Sequence, residues 1–102
     1  MTTAEPPDAG PGADVRAAVA AAYRAEWAFV LAATARTTHD LDLAEECAAE
    51  AFSIALVSWE RDGIPRSPGA WLTTAARRRA IDQLRRERTL RGKLPLLVDP
   101  QT

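Results

Sequence analysis

Cysteine, histidine, methionine and lysine are almost missing from this chain of 102 residues, which has one of each, the lysine standing against twelve Arg. Each scarcity excludes something. One cysteine, Cys47, closes no disulfide within the chain, and with His39 as its sole imidazole the chain builds no Cys/His zinc site from its own residues. Apolar runs are short as well. None approaches the ~20 residues of a membrane span, and the opening MTTAEPPDAGPG lacks the basic and apolar regions of a secretion signal. These gaps predict a cytoplasmic protein with no membrane partner.

Catalytic groups are equally sparse. His39 lies in a polar stretch away from Cys47 and beside no candidate Ser, so no nucleophile has a positioned base. Glu45, Glu46 and Glu50 are hard-metal ligand types, but no second carboxylate helix or Glu-x-x-His pair accompanies them. A Gly-rich phosphate loop is also missing. By exhaustion the expectation is a binding protein, with no enzyme activity, catalytic residue, metal or cofactor.

What is present is alanine, at 22 positions, in a chain that is 47% apolar and 26% charged. Alanine is the strongest helix former, so the expected fold is all-α. Residues 1–13, rich in Pro, Gly and Ala, carry no apolar period and are predicted to be a disordered tail. From an expected N-cap at Asp14, Val19, Tyr23, Trp27, Val30, Leu31 and Thr34 recur at helical spacing, predicting a first helix over 15–37. Asp42-Leu-Ala-Glu45 has the form of a capping box opening a second helix, whose apolar stripe is Ala48, Ala51, Phe52, Ala55, Leu56 and Trp59. The segment 61–66 holds Gly63 and Pro65 and is predicted to be a loop.

Ser67-Pro68 then starts a third helix, expected to run to about Leu90, with Gly92 ending it and Pro95 blocking re-entry. On a helical wheel Leu72, Ala75, Ala76, Ala80 and Leu84 form its core side, and Arg77, Arg78, Arg85, Arg88 and Arg91 cluster on the other. Asp82 is four residues from both Arg78 and Arg86 and is expected to pair with either. Three helices joined by short polar loops predict an antiparallel three-helix bundle. Trp27, Trp59 and Trp71 are expected in its core, although Trp71 also has the ring on which a base would stack. The aliphatic run Leu94–Val98 either packs back on the bundle or leads onward.

Charge is divided along the chain. Residues 1–62 carry four Arg against eleven acidic residues, a balance of −7, and residues 63–102 carry +6. Such a split fits two different partners, one of them a polyanion, and it equally fits two solvated faces that neutralise each other. The arginine row on the third helix has the spacing to neutralise several phosphates of a nucleic acid.

The helix 42–59 resembles the polymerase-binding helix of bacterial sigma factors. The helix 70–86, AWLTTAARRRAIDQLRR, resembles the promoter-melting, minus-ten-reading helix that follows it. In this order the two are similar to region two of the extracytoplasmic-function sigma factors over roughly 15–97. The wording at 61–65 and 93–97 is closest to the subgroup associated with DGPF-type proteins. The resemblance implies a sigma region-two-like bundle over 14–92, followed at 93–102 by the start of a linker to a C-terminal domain. It implies that Glu45, Glu46, Glu50 and Phe52 dock on the clamp helices of the largest subunit of core RNA polymerase. It further implies that Arg61, Asp62, Arg66 and Ser67 hold a flipped base of the promoter minus-ten element, with Arg77, Arg78, Arg85, Arg86 and Arg88 near the DNA backbone. Two departures stand out: Ala49 where the family usually has Gln, and Arg78 where it commonly has Asn. The domain that reads the minus-thirty-five element does not follow, which suggests a fragment or a truncated product. The competing expectation is therefore an interaction bundle that binds polymerase or an anti-sigma protein without initiating transcription.

Overall fold

A computed structural model describes residues 11–97, and every element in that range is helical: α1 (Pro11–Thr38), α2 (Leu41–Asp62) and α3 (Pro68–Leu97). Each helix packs against the other two. The chain runs up, down and up. Glu26 lies against Gly69 and Thr37 meets Arg77, so α1 and α3 are parallel, with α2 antiparallel to both. The predicted all-α three-helix bundle is the observed architecture.

The core is built from small residues around a few large ones. Val15, Val19, Ala22 and Val30 of α1 meet Ala48, Ala51, Phe52, Ala55 and Trp59 of α2 and Leu72 and Ala76 of α3. Each fully buried Val or Leu contributes about 1.5–3 kcal/mol, and the alanines let the helices approach closely. Trp59 is 2% exposed and meets Trp71 edge-on at 5.4 Å; its indole N–H has no partner among the described residues. Trp27 and Trp71 are half-buried against this core, and Tyr23 stacks on Trp27 at 5.1 Å. A second, thinner cluster joins Leu43 and Cys47 of α2 to Ala80 of α3, with Leu84 alongside. Two residues of the expected apolar stripes, Tyr23 and Leu56, are instead exposed.

Helix boundaries depart from the sequence expectation at several points. α1 begins at Pro11, so residues 11–13 are helical and Asp14 lies in its first turn; the rest of the expected tail is outside the described residues. Pro at the start of a helix lacks only an N–H that has no intrahelical partner there. α2 is capped by Asp40, whose Oδ1 accepts from Leu43 N–H at 3.1 Å, and Asp42 sits inside the first turn. The backbone decides this. His39 takes a left-handed φ of 54° and donates its N–H to Ala35 O, which closes α1 and places the extended residue at 40. α2 continues through Asp62, where Gly63 at φ 95° closes it with an N–H to Trp59 O. At the far end α3 passes Gly92 and Pro95 and ends at Leu97; Gly costs about 1 kcal/mol in a helix, whereas Pro lacks the N–H that would bond to residue 91 and costs about 3 kcal/mol. The expected linker at 93–102 is therefore helical through Leu97, and the remainder lies outside the described residues.

Candidate functional site

The acidic and basic halves of the sequence become two surfaces on neighbouring helices. α2 presents Glu45 and Glu46 to solvent, and neither forms an ion pair among the described residues. Phe52, grouped with them by the sequence, is not on that surface. It is 6% exposed and lies under Tyr23 and Trp27, with ring centroids at 5.4 and 5.8 Å. Phe52 follows Ala48 by four positions and precedes Ala55 by three, on the buried stripe of α2, where it packs against the α1 aromatics.

Glu50 is also committed within the chain. Arg79 donates through Nε to Glu50 Oε2 and through a terminal nitrogen to Oε1 at 3.4 Å, bridging α3 to α2. Arg79 is the residue that sequence reasoning missed. Its neighbours Arg77 and Arg78 point outward while it turns toward α2, a distinction that depends on how the two helices pack. The hydrogen bond to Glu50, followed by the coulombic attraction, raises the guanidinium pKa further above its ordinary value.

On α3, Arg77, Arg78, Arg85, Arg86 and Arg88 are all exposed. Arg77 reaches Thr37 Oγ1 at 3.4 Å, and Arg91 pairs with Glu87 at 4.0 Å. Asp82 forms no ion pair with Arg78 or Arg86 among the described residues. The row is thus largely unneutralised. Beyond Leu84 every α3 residue through Lys93 is exposed, so this stretch carries its arginines clear of the bundle.

The end of α2 and the loop to α3 join the two surfaces. Arg61 and Asp62, the last residues of α2, are exposed and bond to each other through two contacts of 3.0 and 2.9 Å. The side-chain hydrogen bond from Arg61 is the main reason the Asp62 carboxyl sits below its usual range. Arg66 and Ser67 are exposed, and Ser67 O accepts from Trp71 N–H at 3.1 Å as α3 begins. The loop thus lies at the N-terminal end of α3, and the exposed arginines follow along that helix from Arg77 to Arg88. Between them lies a surface depression of about 390 Å³ lined by Ala70, Trp71, Thr74, Ala75 and Arg78. Trp71 and Arg78 also line a second one, of about 360 Å³, shared with Ile54, Arg79 and Asp82 at the α2–α3 seam.

Among the described residues no group of three or more His, Cys, Asp or Glu is arranged to hold a metal. No helix among them is long and apolar enough to cross a membrane.

Comparison with known proteins bears on what these surfaces serve. An uncharacterized protein of Rhizobium meliloti (strain 1021) is 46% identical over 57 residues, which are 56% of this chain and 14% of that protein. The matched part is a small fraction of that relative's length. No solved structure matches. The family described as Sigma-70 region 2 matches residues 22–89, a span that holds most of α1, all of α2, the joining loop and the arginine-bearing part of α3. With more than half of its length matched, this chain belongs to the sigma-70 family through a region 2 domain.

Proposed function

We propose that the chain is a region-two module that binds core RNA polymerase through α2 and engages the promoter minus-ten element through residues 61–67, at the end of α2 and in the loop that follows, and through α3. The observation that carries this is the separation of charge within a matched region 2 fold: unpaired Glu45 and Glu46 on α2, and a row of exposed arginines on α3. The acidic face would meet the clamp helices of the largest polymerase subunit, as in the extracytoplasmic-function branch. Arg61, Asp62, Arg66 and Ser67 would border an extruded base, and Arg77, Arg78, Arg85, Arg86 and Arg88 would lie along phosphates. Melting a promoter costs a few kcal/mol per unstacked base, and capture of that base beside cationic side chains offsets it. Nothing in this scheme requires the chain to make or break a covalent bond.

The test is capture of the chain by bacterial core RNA polymerase, wild type beside a Glu45→Lys/Glu46→Lys variant, with a clamp-helix fragment as competitor. Reversing two exposed charges is expected to weaken capture about tenfold, equivalent to about 1.4 kcal/mol. The fragment is expected to compete with the wild type. A folded wild-type chain that polymerase does not retain sinks the docking reading. Capture without any gain in minus-ten DNA binding instead supports an interaction bundle that docks but does not initiate, an anti-sigma protein being another partner for the same face.

A further inference from the structure

Glu50 stands on the acidic helix, yet its surroundings differ from those of Glu45 and Glu46. Its carboxylate takes two N–H donors from one guanidinium, the forked arrangement in which Arg matches a carboxylate best. The three ion pairs of the described residues sort clearly. Arg61–Asp62 and Arg91–Glu87 lie within single helices, with side chains 53–69% exposed. Glu50–Arg79 joins two helices, and its side chains are only 42% and 32% exposed.

Its location gives it work to do. The seam beside it is the smaller of the two core clusters, where Leu43 and Cys47 of α2 meet Ala80 of α3. The buried Cys47 thiol feels both charges of the pair. Because each residue turns a helix by about 100°, anchoring Arg79 against α2 fixes the rotation at which Arg77 and Arg78 face outward.

We propose that Glu50 and Arg79 form a positioning clasp that sets the basic row of α3 relative to the acidic face of α2, and that Glu50 is not itself a docking contact. The second half rests on the docking role proposed for α2. Polymerase then meets Glu45 and Glu46, while Arg79 acts on DNA only by orienting its neighbours.

A charge swap separates the possibilities. Glu50→Arg and Arg79→Glu are each expected to lower Tm by roughly 4–8 °C and to weaken binding of a minus-ten oligonucleotide by the polymerase-docked chain, while capture by core polymerase is kept. The double swap is expected to restore both. If Glu50→Arg loses capture by core polymerase and the double swap restores Tm but not capture, Glu50 is a docking contact and the proposal falls. If the double swap is no more stable than the two single effects predict, there is no clasp. The milder cycle of Glu50→Gln, Arg79→Gln and their combination reads the same coupling by Tm should the reversals not fold. A wild-type chain that polymerase ignores overturns docking alone, and the Tm cycle still decides the clasp.

Discussion

Cys47 is 1% exposed, in the seam between α2 and α3. Burial is the main cause that raises its thiol pKa, with Glu50 adding to the effect and Arg79 opposing it. The thiol is therefore a small apolar residue in practice, and reactive only when the seam opens. Alkylation by iodoacetamide at pH 8 is expected to be slower by about three orders of magnitude than in the urea-unfolded chain, since even ~5 kcal/mol of stability implies an open population that small. Comparable rates in the two states would overturn the assignment. The pH dependence has a definite sign. The folded thiol holds its proton above the unfolded pKa of about 8.5, so its contribution to stability is complete below that pH and declines as pH rises through the folded value.

At the scale of the element, the start of α2 shows how a local motif loses to backbone geometry. Asp42-Leu-Ala-Glu45 satisfies the capping-box pattern, yet the accepting carboxylate is that of Asp40. Asp40→Ala is expected to cost about 1 kcal/mol, read as a fall in Tm, and Asp42→Ala to be close to neutral. The reverse ranking would restore the sequence-based boundary. The deciding residue is His39. A left-handed histidine after Thr38 is not a pattern that propensity flags, because glycine or asparagine is the usual occupant. Core positions were more legible. Val19, Val30, Ala48, Ala51, Ala55, Leu72, Ala76 and Ala80 are buried as their spacing requires, because an apolar stripe at helical period has few other ways to leave water. Phe52 was legible as core and misassigned as docking surface. Family position outweighed the period there, although the period alone places it beside Trp59 and Ala55. The Glu50–Arg79 contact spans 29 residues and follows from packing register, which no local pattern encodes.

At the scale of the whole molecule, a net charge of −1 conceals a dipolar arrangement in which acidic α2 and basic α3 lie side by side and, among the described residues, form an ion pair with one another only at the clasp. Two solvated faces and a two-partner module share this arrangement, and ionic strength separates them. A chain that neutralises phosphates releases their counterions, and the logarithm of its binding constant falls with log salt by about 0.7 per phosphate on a single strand. If Arg77, Arg78 and Arg85 each cover one phosphate, replacing all three by Ala is expected to flatten the slope by about 2 and to weaken binding most at low salt. The measurement is a titration of a single-stranded minus-ten oligonucleotide onto the chain docked on core polymerase, repeated across a salt series. None of the three forms an ion pair among the described residues, and all are exposed, so the variant should keep the wild-type Tm within a degree or two. A slope unchanged by the triple substitution would mean that the arginine row is solvated surface. A slope that flattens while Tm holds would place phosphates along α3, on the side that the clasp turns outward.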